Sequence, residues 1–226
     1  MTADQTDNEW QQRWQSGQIG FHKAAPHDVL LHHKQVLEDK TRVYVPLCGK
    51  SVDLVWLFQE GHDVVGCEFV PEAVAAFFAE QQELLPKPTS VRFGNAVLHE
   101  VKGLRIVQGD AFAVDTAQLG GKVDAVWDRA ALVAIPPADR ERYVAALLRV
   151  LADDGVIVLV TFAYDQTKLD GPPWSISRAE VERLFGAHFT IEDGLRRAEP
   201  PGPRFVAAGV AAVEEAAYVL RRRIGT

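Results

Sequence analysis

Cysteine is scarce in this chain of 226 residues, which contains only Cys48 and Cys67. Neither belongs to a cysteine-rich framework of the kind that crosslinks small secreted domains, so we expect no disulfide and a reducing, cytoplasmic location. No histidine is placed by the sequence to activate Cys48, which favours an apolar packing role over a nucleophilic one. The seven histidines form no metal-ligand spacing, and no metal site is expected.

Long apolar runs and an excess of positive charge are also missing. No segment reaches the ~18 apolar residues that span a bilayer, and residues 1–14 carry Asp4, Asp7 and Glu9 where a signal peptide needs an apolar centre. The formal net charge is −7, whereas nucleic acids and anionic membranes recruit clustered Lys and Arg. We therefore expect a small-molecule partner, with no nucleic acid, membrane or obligate protein partner.

From residue 41 onward, apolar strands alternate with amphipathic helices, a pattern typical of a mostly parallel sheet covered on both faces. The strands predicted in the core are Arg42–Pro46, Asp63–Glu68, Leu104–Gln108, Val123–Trp127 and Val156–Phe162. Two late strand regions, Phe189–Arg196 and Phe205–Leu220, include an antiparallel strand, and residues 86–104 are predicted as a hairpin or insertion outside the core. The expected fold is a doubly wound α/β sheet of seven strands with helices on both faces.

The length of the chain and its apolar fraction of 47% suit one large globular domain. We predict a single domain over residues 1–226, in which a Rossmann-like core occupies residues 41–226. Residues 1–40 are expected to form an N-terminal helical extension that covers the active site. Trp10 and Trp14 lie four residues apart in this extension and therefore share one helix face.

In a doubly wound sheet, ligands bind outside the carboxyl ends of the strands, so the turns after the strands are the candidate binding segments. The first turn runs from Leu47 to Ser51 and leads into a helix. The second strand ends on Glu68, which is 68 − 49 = 19 residues after Gly49. This separation is close to the ~20 residues at which a carboxylate meets the ribose of an adenosine cofactor, although a lone acid there is also compatible with a solvated strand end.

The glycine pattern of the first turn narrows the choice of cofactor. A P-loop needs a glycine five residues before Gly49, where this chain has Tyr44. The Gly-x-Gly-x-x-Gly fingerprint that accommodates a pyrophosphate is also missing, which disfavours a dinucleotide. S-adenosyl-L-methionine fits better, because it presents an adenosine and an amino acid without phosphates.

Several motifs together resemble the thiopurine S-methyltransferase family, a branch of the class I S-adenosylmethionine-dependent methyltransferases. The most distinctive is the turn Pro46-Leu47-Cys48-Gly49-Lys50, since most methyltransferases of this class carry several glycines there. The resemblance extends in matching order along nearly the whole chain from residue 9, through residues 9–14, 20–22, 46–53, 61–68, 127–132, 171–173 and 182–186.

The resemblance implies two sets of site residues. The residues implied to contact or approach the cofactor are Trp10, Leu47, Gly49, Glu68, Asp110, Ala111 and Arg129. The residues implied to face the methyl acceptor are Phe21, Arg129 and Arg204. The segment 200–203 before Arg204 departs from the family pattern through its three prolines.

The function that follows is transfer of a methyl group to the sulfur of a small aromatic or heterocyclic thiol, with S-adenosyl-L-homocysteine as the second product. Arg129 is the expected catalytic residue, because a guanidinium favours the thiolate by direct attraction; Asp128 is a weaker candidate as proton acceptor. Methylation of selenium or tellurium species, halide or sulfide is an alternative within the same chemistry. More distant alternatives are a nicotinamide-dependent oxidoreductase and a non-catalytic adenosine-binding module.

Overall fold

A computed structural model describes residues 10–20 and 22–223 of the chain. Within these residues nine strands form one sheet: β1 (Arg42–Val45), β2 (Asp63–Glu68), β3 (Thr89–Phe93), β4 (Ala96–Val101), β5 (Leu104–Gln108), β6 (Val123–Asp128), β7 (Leu151–Ala163), β8 (Phe189–Glu199) and β9 (Val213–Arg222). The α-helices are α1 (Asp28–His32), α2 (Lys34–Leu37), α3 (Asp53–Gln59), α4 (Pro71–Glu80), α5 (Thr116–Leu119), α6 (Arg140–Val150), α7 (Arg178–Phe185) and α8 (Pro203–Ala207). Residues 10–15 are also helical.

The strands are arranged in the order β3-β4-β5-β2-β1-β6-β7-β9-β8. The five central strands from β5 to β7 pair in parallel, while β9 runs antiparallel to both β7 and β8. From β1 the chain winds outward first through β2 and β5, then returns to the other side through β6 and β7. This reversal creates a topological switch point at the carboxyl ends of β1 and β6, where doubly wound sheets bind their ligands. The predicted α/β fold is confirmed.

The predicted number of seven strands is wrong, because the hairpin within residues 86–104 is part of the sheet. The antiparallel strands β3 and β4 form this hairpin, and β4 pairs along the whole length of β5. An unpaired edge of β5 would leave its backbone N–H and C=O groups without partners, and the hairpin satisfies them. The strand region predicted over Phe205–Leu220 also begins later than expected. Residues 203–207 form a helix, and β9 begins only at Val213.

Apolar side chains fill a core on each face of the sheet. One core includes the buried Tyr143 of α6 and Phe185 of α7, and the other includes Leu54 of α3 and Phe77 of α4. The central strands contribute alternate residues to the two cores, which explains why their sequences are nearly continuous apolar runs. The parallel core therefore forms a rigid platform for the loops at its carboxyl edge.

The N-terminal extension is attached to this core at several points. Gln15 donates to the Glu72 carboxylate on α4 over 3.3 Å. The backbone N–H of His27 donates to Oδ1 of Asp53 over 2.8 Å, while the His27 ring lies 3.3 Å from the buried carboxylate of Glu215 on β9. These contacts attach residues 15–27 to α3, α4 and β9.

Three further observations concern the classes of protein considered above. Both cysteines are buried and unpaired. In residues 10–20 and 22–223, no cluster of three or more His, Cys, Asp or Glu side chains could hold a metal ion. Over the same residues, none of the helices combines the length and apolar character needed to cross a bilayer.

Candidate active site

A cavity of about 880 Å³ opens at the carboxyl edge of the parallel strands. Seven of the nine site residues predicted from the sequence line it: Trp10, Leu47, Glu68, Asp110, Ala111, Arg129 and Arg204. Of the other two, Gly49 lies behind the lining and binds Glu68, and Phe21 lies outside the described residues. The structure thus brings predicted residues from six separate segments of the chain to one site.

Two non-glycine residues with positive φ lie at this cavity, Leu47 with φ of 46° and Ala130 with φ of 63°. Leu47 follows β1 and Ala130 follows β6, the two neighbouring strands at which the winding direction reverses. A left-handed backbone at a residue with a Cβ is strained, and such strain is concentrated at functional sites. The two turns are therefore held in unfavourable conformations on both sides of the switch point.

Glu68 is the acid at the end of β2 and is only 7% exposed. Its Oε2 accepts the backbone N–H of Gly49 over 2.8 Å, and its Oε1 accepts the backbone N–H of Val70 over 2.7 Å. Burial raises the pKa of Glu68, and these backbone hydrogen bonds act against that shift. Each carboxylate oxygen keeps a further acceptor site, so Glu68 can fix the first turn and still accept a hydroxyl from a ligand in the cavity.

The first turn also packs closely on β2 through Cys48. A Cβ added at Gly66 would lie 2.7 Å from the Cys48 Sγ, a distance that only a glycine at position 66 avoids. Burial raises the pKa of the Cys48 thiol well above its ordinary value. Cys48 therefore packs as a small buried residue, as predicted, and is not suited to act as a nucleophile.

Asp110 and Phe112 form the wall of the cavity after β5. Asp110 Oδ1 accepts the backbone N–H of Phe112 over 2.8 Å, which fixes the turn around Ala111. The Arg142 guanidinium lies 4.4 Å from the centre of the Phe112 ring and 4.0 Å from Asp110 Oδ2. This wall combines a flat aromatic surface with an acid, a combination suited to a purine base.

Arg129 follows β6 and presents a partly buried guanidinium to the cavity. Over residues 10–20 and 22–223 it makes no hydrogen bond or ion pair, in contrast to most arginines of the chain. Burial lowers the pKa of Arg129, while the buried carboxylates of Asp53 and Glu215 act against that shift. An arginine stays charged under these conditions, so Arg129 offers an uncommitted cation to a ligand.

Asp128, the weaker candidate for proton acceptor, does not line the cavity. Its side chain is fully buried, with Oδ1 accepting the backbone N–H of Leu132 over 3.0 Å and Oδ2 accepting the Tyr143 hydroxyl over 2.8 Å. Burial raises the pKa of Asp128 to about 6. The carboxylate thus holds the loop that carries Arg129 and Ala130, which is a positioning role.

Arg204 lines the cavity, but its donors are engaged with the loop after β7. Its Nη1 donates to the carbonyl of Pro172 over 2.6 Å and its Nη2 to the carbonyl of Asp170 over 2.7 Å. The same loop is held from the other side by the Tyr164 hydroxyl, which donates to the carbonyl of Pro173 over 2.7 Å. Arg204 therefore supports residues 170–173, here called the proline loop, and also adds a positive charge to the cavity.

Other lining residues were not predicted from the sequence: Arg13, Lys23, Phe69, Phe112, Val133, Arg142, Phe162 and Phe205. Phe69, Phe112 and Phe162 follow or end strands, and the rule that ligands bind after strands could have found them. The others come from the N-terminal extension, from the 3-10 helix Leu132–Ala134 after β6, from α6 and from α8. Their positions depend on tertiary packing, which sequence spacing does not encode.

The fold is shared with methyltransferases of known structure, which also have the doubly wound α/β sheet. Burkholderia thailandensis 1,6-didemethyltoxoflavin-N1-methyltransferase, solved with S-adenosylhomocysteine, aligns with a TM-score of 0.63 at 18% identity over 96% of this chain and 86% of its own. A TehB-like SAM-dependent methyltransferase from Corynebacterium glutamicum aligns with a TM-score of 0.56 at 15% identity over 96% and 98%. At such identities the likeness concerns the fold alone.

The chain belongs to the thiopurine S-methyltransferase family, whose model matches residues 5–223. It is 41% identical over 217 residues to thiopurine S-methyltransferase of Pseudomonas fluorescens, covering 94% of this chain and 97% of the relative. The enzyme of the same name from Methylococcus capsulatus is 38% identical over 216 residues, with 94% and 96% covered. The family resemblance predicted from the motifs is confirmed.

Proposed function

We propose that this protein is an S-adenosyl-L-methionine-dependent methyltransferase that methylates the sulfur of a small aromatic or heterocyclic thiol. One observation carries the proposal: a single cavity contains both the ribose-binding type of acid, Glu68, and the uncommitted cation, Arg129. The relatives described above, named thiopurine S-methyltransferase and matched over nearly their full length, support the same activity. Family membership also favours a transferase over the nicotinamide-dependent alternative.

The residues of the cavity fit the proposed cofactor. When bound, S-adenosylmethionine supplies an electrophilic methyl group on a sulfonium. Glu68 has acceptor capacity for ribose hydroxyls, and the Asp110–Phe112 wall offers an acid and a ring to adenine. The first turn has one glycine and no anion cradle, as suits a cofactor without phosphates. The residues proposed to hold the cofactor are Trp10, Leu47, Glu68, Asp110, Ala111 and Arg129. Gly49 contributes indirectly, because its backbone N–H fixes the Glu68 carboxylate.

The volume of the cavity also suits two small ligands. Small-molecule sites usually measure about 300–1,000 Å³, and the value of about 880 Å³ lies in the upper part of that range. A cofactor and a flat acceptor can therefore lie side by side and react within one enclosure. Holding two reactants in this way removes most of the entropic cost of their encounter.

Arg129 is proposed to favour the thiolate form of the acceptor. A guanidinium near a thiol lowers the pKa of that thiol by direct attraction, and the effect is larger where water is excluded. Because Arg129 makes no hydrogen bond or ion pair with the other described residues, its N–H donors are available for this role, although the buried carboxylates of Asp53 and Glu215 attract its charge. A dedicated protein base is then unnecessary for a thiol that ionises near neutral pH.

Aromatic and proline residues line the proposed acceptor side of the cavity. Phe162 and Phe205 line it together with the neighbouring Pro172 and Pro173. Such a surface suits an aromatic ring and is not needed for sulfide, halide or inorganic selenium and tellurium species, so we favour an organic thiol. Phe21 remains part of the proposed acceptor site.

We also propose that residues 1–40 cover the active site of a single domain whose core spans residues 41–226. The support is that residues of the extension line the cavity: Trp10, Arg13, Trp14, Gln18, Gly20 and Lys23. A cover of this kind excludes water from the reacting atoms. The proposal includes a cytoplasmic location, in keeping with two unpaired cysteines, and no nucleic-acid partner, in keeping with the net charge of −7.

The experiment that tests the donor is a calorimetric titration of the full chain with S-adenosylhomocysteine. We expect saturable binding of one equivalent, and NADH titrated under the same conditions should give no heat of binding. Binding of NADH in preference to S-adenosylhomocysteine would refute the proposal. A protein that bound S-adenosylhomocysteine but methylated no thiol would instead be an adenosine-binding module.

A further inference from the structure

A buried carboxylate that does not line the cavity is bonded to the strand that leads to Arg129. Asp53 is the first residue of α3 and is only 2% exposed. Its Oδ1 accepts the backbone N–H of His27 over 2.8 Å, and its Oδ2 accepts the indole N–H of Trp127 over 2.9 Å. Trp127 lies near the end of β6, two residues before Arg129. Asp53 therefore joins the N-terminal extension and α3 to the segment that presents Arg129.

Both hydrogen bonds that Asp53 accepts come from uncharged donors. Within the described part of the chain, Asp53 makes no ion pair. Buried carboxylates are normally paired with a cation, because removing a charge from water is costly. Arg129 is partly buried and also makes no ion pair with these residues. Two opposite charges near one another thus have no direct partner and interact through space.

The second buried acid near Arg129 differs from Asp53 in this respect. Glu215 on β9 lies 2.7 Å from the Arg197 guanidinium and 3.3 Å from the His27 ring. Burial lowers the pKa of Arg129, and Asp53 acts against that shift more strongly than Glu215 does. Because Arg197 already balances Glu215, the charge of Asp53 is the one that remains available to Arg129.

Two cations meet at this end of the cavity during the proposed reaction. Arg129 is proposed to face the thiolate, and transfer requires the methyl group of the sulfonium to contact that thiolate. Arg129 is then also close to the sulfonium, and like charges repel one another more strongly where water is excluded. S-adenosylhomocysteine has the same adenosine and amino acid but a neutral thioether. Arg129 by itself would therefore favour the product form of the cofactor over the reactive form.

We propose that Asp53 is a positioning residue whose buried negative charge offsets this repulsion and so favours S-adenosylmethionine over S-adenosylhomocysteine. This role rests on the proposed function and adds to it a residue that distinguishes the two forms of the cofactor. Asp53 acts through Arg129 and through space, since it does not line the cavity. A purely structural role would affect both ligands equally, because they share every group except the transferred methyl and its charge.

The test is the dissociation constant of S-adenosylmethionine divided by that of S-adenosylhomocysteine, each measured by calorimetric titration of the full chain without acceptor. Asp53→Asn alone would set an amide N–H₂ group against one of its two donors, so it is combined with Trp127→Phe, which removes the indole N–H. We expect the ratio to rise about threefold to tenfold in Asp53→Asn/Trp127→Phe. Trp127→Phe alone loses the same indole hydrogen bond but keeps the charge, and its ratio should equal that of the wild type.

The matched charge control is Glu60→Gln, which removes an exposed acid from the opposite end of α3. Arg129→Gln makes the reverse change: it removes the repelling cation and should lower the ratio below the wild-type value, a result that does not depend on the folding of an Asp53 variant.

An unchanged ratio in Asp53→Asn/Trp127→Phe, or an equal rise in Glu60→Gln or in Trp127→Phe, would overturn the role of Asp53. An unchanged ratio in Arg129→Gln would overturn it as well, because the repulsion that Asp53 is proposed to offset would then be missing. All these results leave the methyltransferase function standing, whereas a wild type that binds neither ligand would refute the proposed function itself.

Discussion

The backbone N–H of Gly49 donates to Oε2 of Glu68 over 2.8 Å, so the turn after β1 is tied directly to the end of β2. Gly49 itself has a φ of 52°, and Leu47 two residues earlier has a φ of 46°. The buried carboxylate thus stabilises a strained turn and at the same time lines the cavity. One residue serves both the local geometry and the proposed cofactor contact.

Glu68→Gln is expected to weaken S-adenosylhomocysteine binding by about 1–3 kcal/mol. The amide keeps the size of the side chain but places an N–H₂ group against one of the two backbone donors and loses the charge. Calorimetric titration measures the change, and Glu60→Gln, an exposed acid at the end of α3, serves as control. An unchanged dissociation constant in Glu68→Gln would contradict the role given to the acid.

Gly66→Ala should destabilise the fold by about 1–3 kcal/mol through overpacking. The added methyl group would meet Cys48 Sγ at 2.7 Å and Leu54 Cδ2 at 3.3 Å. Urea unfolding of the single variant and of the double variant Gly66→Ala/Cys48→Ala separates the two contacts. We expect the double variant to be more stable than the sum of the single changes; strict additivity would show that the thiol is not the obstacle.

The ionisation of Asp128 should make its contribution to stability depend on pH. Burial raises its pKa from the ordinary 3.8 to about 6 in the folded chain, so the native state binds the proton more tightly than the unfolded state does. The free energy of unfolding contributed by this group therefore decreases as the pH rises from about 4 to about 6 and is constant above that.

Asp128→Asn removes this titration and keeps groups able to bond to Leu132 and Tyr143. Measured by urea unfolding, the difference in stability between wild type and variant should shift in favour of the variant as the pH rises through the window from about 4 to about 6. Parallel pH profiles for the two proteins would contradict burial of an ionising carboxylate at this position.

Arg204→Ala should lower activity by releasing the proline loop. The variant loses the bonds to the carbonyls of Asp170 and Pro172, and we expect the KM for the acceptor to rise by about tenfold because the apolar wall is less ordered. Arg204→Lys retains the charge but cannot bond both carbonyls in the same way. If Arg204→Lys restores the wild-type KM, charge rather than support of the loop is the main role of Arg204.

The sequence predicted the parallel core well because each core strand is a short apolar run bounded by turn residues. The bounds of β2 and β5 agree with the predicted Asp63–Glu68 and Leu104–Gln108. The hairpin of β3 and β4 was recognised as a hairpin, but its pairing with β5 depends on a free sheet edge, which no local pattern reveals.

The site was predictable where it follows strands and was not where it depends on distant contacts. Leu47 and Arg129 follow strands and Glu68 ends one, and motif and strand position placed all three at this edge of the sheet. The engagement of Arg204 with Asp170 and Pro172 joins residues more than thirty positions apart. Lys23 is an unremarkable exposed lysine in the sequence, and only the fold places it at the cavity.

The central claim is that this protein transfers a methyl group to an aromatic thiol whose anion is stabilised by Arg129. The direct measurement is the rate of formation of the S-methyl thioether from S-adenosylmethionine and thiophenol, followed by mass spectrometry as a function of pH. We expect turnover by the wild type and a loss on the order of 10²–10³-fold in kcat for Arg129→Gln. Because the bound thiol then ionises at higher pH, the rate of the variant should reach its plateau at a higher pH than the rate of the wild type. Absence of the thioether with wild type that binds S-adenosylhomocysteine, or an Arg129→Gln variant with the wild-type rate and pH profile, would contradict the account.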